Sequence, residues 1–143
     1  MTNILLKTVT YSAEMAAINA IRTKVFQEEQ GVDPTLEFDG LDETADQLLA
    51  YLDNQPVGTA RIRYLDEQTA KIERLAVLPP ARGRGIGKQL MAQAIAVAAQ
   101  KDVKQVVVNA QEYVKGLYLQ LGFVQEGGIF DEAGIPHVKM RKV

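Results

Sequence analysis

The chain of 143 residues predicts one α/β domain, of α+β type, spanning residues 1–143, with a mixed sheet carrying helices on its faces. Three observations carry that expectation. Strand-like runs and helical periodicity follow one another in the order β-α-β-β-β-α-β-α-β-β. Three of the β-rich runs are joined only by short polar linkers, "NQP" and "DEQT", as in an antiparallel meander. A later run, "VKQVVVNA", is almost continuously apolar, the pattern of a strand covered on both faces.

In chain order, "NILLKTVT" reads as the first strand. Ser12 is placed to cap a helix with Glu14 in its first turn, and Met15, Ile18, Ile21, Val25 and Phe26 then recur at helical spacing. That helix should run to about Gln30, before Gly31 and Asp33-Pro34. The meander is "QLLAYLD", "VGTARIRYL" and "AKIERLAVL", ending at Pro79-Pro80. A second helix over about 84–100 should bury Ile86, Leu90, Met91, Ala94, Val97 and Ala98. "EYVKGLYLQLG" is a third helix closed by Gly122, and "FVQEGGIF" and "HVKMRKV" are the last strands around a Gly-rich turn.

Composition removes several chemistries. With 47% apolar and 24% charged residues the chain is globular. It has no cysteine, one histidine (His137) and one serine (Ser12), which leaves no thiolate or multi-histidine metal site and little for a serine hydrolase. No metal is therefore expected. No apolar run is long enough to span a bilayer and no secretory signal opens the chain, so a cytoplasmic protein with no membrane partner is expected. A pI near 5.4 argues against nucleic acid as a partner.

The segment "LPPARGRGIGKQL" sets glycines directly before a helix, where bare backbone can face a ligand. A Walker A reading fails because its first glycine position holds Arg82 and its Ser/Thr position Gln89. A dinucleotide fingerprint starting at Gly83 fails at Lys88. The pattern met is Arg/Gln-x-x-Gly-x-Gly/Ala, through Arg82, Gly85 and Gly87. With the "LYLQLGF" that supplies Tyr118, Gly122 and Phe123, the chain resembles the GNAT superfamily of acyl-CoA-dependent N-acetyltransferases, most closely its ElaA/YjcF-type branch.

The resemblance implies a GNAT-like, mostly antiparallel sheet with a splayed strand pair and helices on both faces. It implies acetyl-CoA as co-substrate, a small-molecule amine as acceptor, and a homodimer. Peptide nitrogens over Arg82, Gly83, Arg84, Gly85, Ile86, Gly87 and Lys88 would cradle a diphosphate at a helix N-terminus. The main chain of Leu75, Ala76 and Val77 would pair with the pantetheine arm, with Val77 polarising the thioester carbonyl. Tyr118 would protonate the departing thiolate, and Gln111 stands where many members have asparagine.

Glu73 would relay the amine's proton, although pairing with Arg61, Arg63 or Arg74 is an equal alternative. His137 has suitable base chemistry and is otherwise a structural loop residue. From Glu28 to Asp46 there are eight acids and no base, leaving +6 on the remainder of a chain whose net charge is −2. That run is read either as a solvated loop or as an acceptor wall in which Glu28 and Glu29 attract a small cationic amine. A non-catalytic acyl-CoA-binding module would keep the glycine loop without needing Tyr118.

Overall fold

The computed structural model describes residues 3–143. Its first elements are β1 (Ile4–Val9), α1 (Tyr11–Arg22), a π-helical continuation (Thr23–Glu29) and the single turn α2 (Pro34–Glu37). The meander follows as β2 (Asp46–Leu52), β3 (Gln55–Tyr64) and β4 (Thr69–Val77). Then come α3 (Ile86–Ala99), β5 (Gln105–Gln111), α4 (Lys115–Gln120), β6 (Val124–Glu132) and β7 (Ile135–Lys142). The strands form one sheet ordered β1-β2-β3-β4-β5-β7-β6, antiparallel throughout except for the β4–β5 pair.

The local chemistry explains most boundaries. Thr10, not Ser12, caps α1, its hydroxyl accepting from the Ala13 amide at 3.3 Å. The helix starts earlier than expected because Tyr11 is already buried, its phenol donating to Asn19 at 2.8 Å. Helical winding does reach Glu29, but in wider π turns that let consecutive Val25 and Phe26 both bury. The β2–β3 hairpin turns at Asp53-Asn54, both with positive φ (49° and 69°), the geometry whose twist matches paired strands. All six residues expected inside the second helix are buried on α3.

Two apolar layers flank the sheet. Leu90, Met91 and Val97 of α3 pack on Leu48, Ala60, Ile62, Val108 and Met140, while Ile18, Ile21, Val25 and Phe26 cover Leu49 and Ala76 on the other face. β5 lies between β4 and β7, and its Val106, Val107 and Val108 are all buried, as its unbroken apolar pattern requires. No helix among the described residues is long and apolar enough to cross a membrane.

The α1 face also buries charge. Arg22 is fully enclosed: Nε and Nη2 each donate to Glu37 at 2.8 Å, and Nη1 donates to Asp42 at 2.5 Å. Arg61, equally enclosed on β3, holds Asp39 through two bonds of 2.8 Å, and reaches Asp42 at 3.2 Å and Glu73 at 3.0 Å. These pairs pin the α1–β2 connection to the sheet. Removing one partner of a buried pair strands the other's charge, so Arg22→Leu should cost about 3–5 kcal/mol. Urea unfolding of the two proteins, compared at equal m, measures the loss.

Candidate active site

β4 and β5 pair only at Thr69–Gln105, Ala70–Val106 and Lys71–Val107. Beyond Lys71 the strands part, β5 pairing only with β7, and a cleft of about 750 Å³ occupies the opening. A bulge in β4 sets its far half: Ala60 of β3 lies opposite both Arg74 and Leu75, and Arg74 takes φ of 58°. The splayed pair inferred from the family resemblance is present.

The bulge fixes which main-chain groups face the cleft. Leu78 donates its amide to Val57 at 2.8 Å, so Val57 and Leu78 form a hydrogen-bonded pair. By alternation Val77, opposite Gly58, turns its amide and carbonyl away from β3 toward the opening. Ala76, opposite Thr59, spends its own on β3. Of the two, the edge offered to a ligand is therefore Val77, and the main-chain role expected of Ala76 is not available.

The glycine loop opens α3. No side chain caps this helix, and among the described residues no protein oxygen accepts from the amides of residues 83–88. Gly83 and Gly85 hold φ of 80° and 77°, and a Cβ on either would point into open space. The strand-to-helix turn thus presents a run of unpaired donors at the positive end of a 14-residue helix. Arg84 and Lys88 are exposed and make no ion pair among the described residues. Ile86 contributes its amide while its side chain is buried in the core. This donor set fits a diphosphate.

Arg82 is engaged. Its Nε donates to the Val77 carbonyl at 2.9 Å, and Nη1 and Nη2 donate to Glu29 at 2.6 and 2.5 Å. The guanidinium's hydrogen bonds hold the Glu29 carboxyl below its usual range. Glu29 is thus a partner of the loop rather than part of the opposite wall. Glu28, paired with Lys24 at 3.7 Å, does not line the cleft either. Neither of the two residues expected to attract the acceptor lines the cleft.

The remaining expected residues do converge on the cleft. Tyr118 of α4 lines it, buried to 7% exposure, with its ring edge-on to Phe123 at 5.8 Å. Burial pushes its phenol up to about 12. Gln111, at the end of β5, forms a reciprocal amide pair with Gln30 at 2.9 and 3.4 Å. His137 accompanies it from β7: Nδ1 donates to the Ile135 carbonyl at 2.7 Å, which leaves Nε2 facing Glu132 at 3.5 Å.

Glu73 lines the cleft but is not free. It takes Arg61 at 3.0 Å, the Arg63 Nε, and Lys71 at 3.5 Å. Burial opposes its charge, yet the Arg63 hydrogen bond and the three cations prevail and lower its pKa. A carboxylate so held is a poor base for an alkylammonium of pKa near ~10. The pairing alternative is what the structure contains, with Arg61 and Arg63 but without Arg74.

Sequence reasoning held Glu37 and Asp39 only as members of the acidic run and Arg74 only as a partner for Glu73, and it missed Gln30, Lys71, Asn109, Tyr113 and Glu132, all of which line the cleft. "KIER", three charged residues around Ile72 directly before an apolar run, was the legible signal for Lys71 and Arg74. The rest needed the three-dimensional pairing.

The profile of the Acetyltransferase (GNAT) domain matches residues 9–143. The chain belongs to the GNAT acetyltransferase family. The Bacillus subtilis (strain 168) protein YyaT is 38% identical to this GNAT protein over 96% of the chain and 94% of its own length. Escherichia coli ElaA superposes with a TM-score of 0.87 at 27% identity, covering 99% of this chain and 100% of that one. An acyl-CoA N-acyltransferase from Pseudomonas aeruginosa superposes with a TM-score of 0.83 at 30% identity, covering both chains fully.

Because Glu29 competes for Arg82 with any anion at the loop, Glu29→Gln should tighten coenzyme A binding. An exposed pair is worth up to ~1 kcal/mol, so the expected gain is about two- to fivefold in Kd, read by calorimetry.

Proposed function

We propose that this GNAT protein transfers the acetyl group of acetyl-CoA to the nitrogen of a small-molecule amine by direct attack. The observation that carries the reading is the coincidence, along one cleft, of a Val77 amide turned out of the β3–β4 ladder, unpaired amides at 83–88 and the Tyr118 phenol. The acyl-CoA specificity named for the Pseudomonas aeruginosa neighbour supports the donor. Acetyl-CoA supplies an activated thioester carbonyl.

The chain's own residues do the rest. The amides of Gly83 to Lys88, with Arg84, hold the diphosphate, and Arg82 joins them when Glu29 yields. The Val77 amide donates to the carbonyl oxygen as negative charge gathers there. The amine nitrogen forms the new C–N bond as the C–S bond breaks. His137 Nε2 takes the amine's proton, with Glu132 facing the imidazolium that results. Tyr118 sits above a thiol's ordinary pKa of ~8.5, so it keeps its proton and donates a hydrogen bond to the departing sulfur. Most of the rate gain comes from holding two reactants in line.

A thiol-release assay against a panel of amines tests the proposal. Turnover with at least one amine is expected, as is a rise in melting temperature with coenzyme A; at ~100 times Kd the stabilisation is about 2.7 kcal/mol. Thermal stabilisation without thiol release from any amine would leave only a binding module. Tyr118→Phe should lower kcat about 10- to 100-fold with little change in KM for acetyl-CoA, since the hydroxyl acts only as sulfur departs.

A further inference from the structure

Three carboxylates of the acidic run, Glu37, Asp39 and Asp42, are spent on buried arginines, and the charge network behind the cleft carries one more cation than carboxylates. Arg22, Arg61, Arg63, Lys71 and Arg74 form one connected set with Glu37, Asp39, Asp42 and Glu73, five cations to four carboxylates. Every one of those carboxylates faces at least one guanidinium, and Arg22 and Arg61 are sealed from the cleft by burial.

Arg74 is different. The bulge turns it out of the β3–β4 ladder at φ of 58°, and it lines the cleft. Its Nε donates to the Glu37 carbonyl at 3.3 Å. Its Nη2 donates to the carbonyls of Leu36 and Glu37 and to Asp39, at 3.3, 3.0 and 3.3 Å. Its Nη1 has no acceptor among the described residues. Lys71 lines the same wall and, among the described residues, pairs only with Glu73, at 3.5 Å. Burial and the neighbouring Arg61 charge push the Arg74 guanidinium below its usual range, in contrast to Arg22 and Arg61, which are raised. Arg74 is thus a part-buried cation whose ion pair with Asp39, at 3.3 Å, leaves Nη1 free among the described residues. Across the cleft, Glu132 accepts from Asn109 at 3.1 Å and faces His137, so a carboxylate awaits the amine end of a ligand.

We infer that the acceptor bears a carboxylate or phosphate as well as its amine, and that Arg74 Nη1 and Lys71 Nζ bind that oxyanion. The inference rests on the transferase reading above. A polyamine leaves Arg74 Nη1 and Lys71 Nζ without an added partner, whereas an amine with an attached oxyanion engages them and Glu132 together.

The test uses pairs of amines that differ only in the oxyanion, among them lysine with cadaverine and phosphoethanolamine with ethanolamine. kcat/KM for thiol release is compared within each pair. Preference for the oxyanion-bearing member is expected, and the pair that shows it distinguishes carboxylate from phosphate. Arg74→Gln should reduce that preference about 10- to 100-fold, through the acceptor's KM rather than kcat, with partial recovery in Arg74→Lys. Lys71→Gln, whose side chain holds no main-chain carbonyl, should reduce it as well. A rise in melting temperature with coenzyme A identifies the folded variants. Equal or better use of cadaverine and ethanolamine, or a preference that survives both substitutions to Gln, would overturn the inference. Absence of thiol release with every amine would instead remove the transferase reading, and this inference with it.

Discussion

The parting of β4 from β5 after three paired residues is the constraint on which the rest of the molecule turns. Two adjacent strands that separate forfeit a row of ladder hydrogen bonds, and each buried unpaired group carries a cost. Here the loss is confined to one edge and made usable. Past Lys71 the far half of β4 is supported by β3, by the apolar face of α3 and by α1, so it does not collapse onto β5. The bulge at Arg74-Leu75 then turns the strand so that Val77, rather than Ala76, presents its amide to the opening, its carbonyl being held by Arg82. The same strand ends at the glycine turn, which brings unpaired loop amides to one end of the cleft that the unpaired strand edge lines.

The acidic run shows how a charge pattern is misread when its partners lie far off in the chain. Glu37, Asp39 and Asp42 satisfy Arg22 and Arg61, which lie 15 to 22 residues away from them. Both arginines are wholly buried, and a buried guanidinium without counter-ions would be prohibitive. The run therefore serves the fold first, because three of its carboxylates are committed to buried cations. Glu29, from the same run, is spent on Arg82, so its charge also stays within the molecule.

Periodic and local features of the sequence proved legible. The element order, the meander, the six buried positions of α3 and the central placement of β5 follow from apolar spacing, because burial is decided residue by residue along an element. The glycine loop was legible for the same reason: Gly83 and Gly85 are needed by their own backbone angles. Features that depend on pairing across the fold were not. The cap at Thr10, the π winding after Arg22, the Gln30–Gln111 amide pair and the engagement of Glu73 each depend on a neighbour that spacing does not name. Glu73 illustrates the limit: its position in the strand suggested a base, and three cations supplied by Arg61, Arg63 and Lys71 make it a counter-ion.

The π winding has a geometric consequence for the cleft. It ends at Glu29, which reaches Arg82 beside the glycine loop, and the next residue, Gln30, reaches Gln111 at the end of β5. Two consecutive residues at the end of one helical segment thus contact the glycine loop that follows β4 and the end of β5. Gln30 remains in the lining while Glu29 is drawn off to Arg82, so this segment borders both the loop end and the interior of the cleft. An anion that takes Arg82 from Glu29 removes one of these two anchors and leaves the amide pair in place.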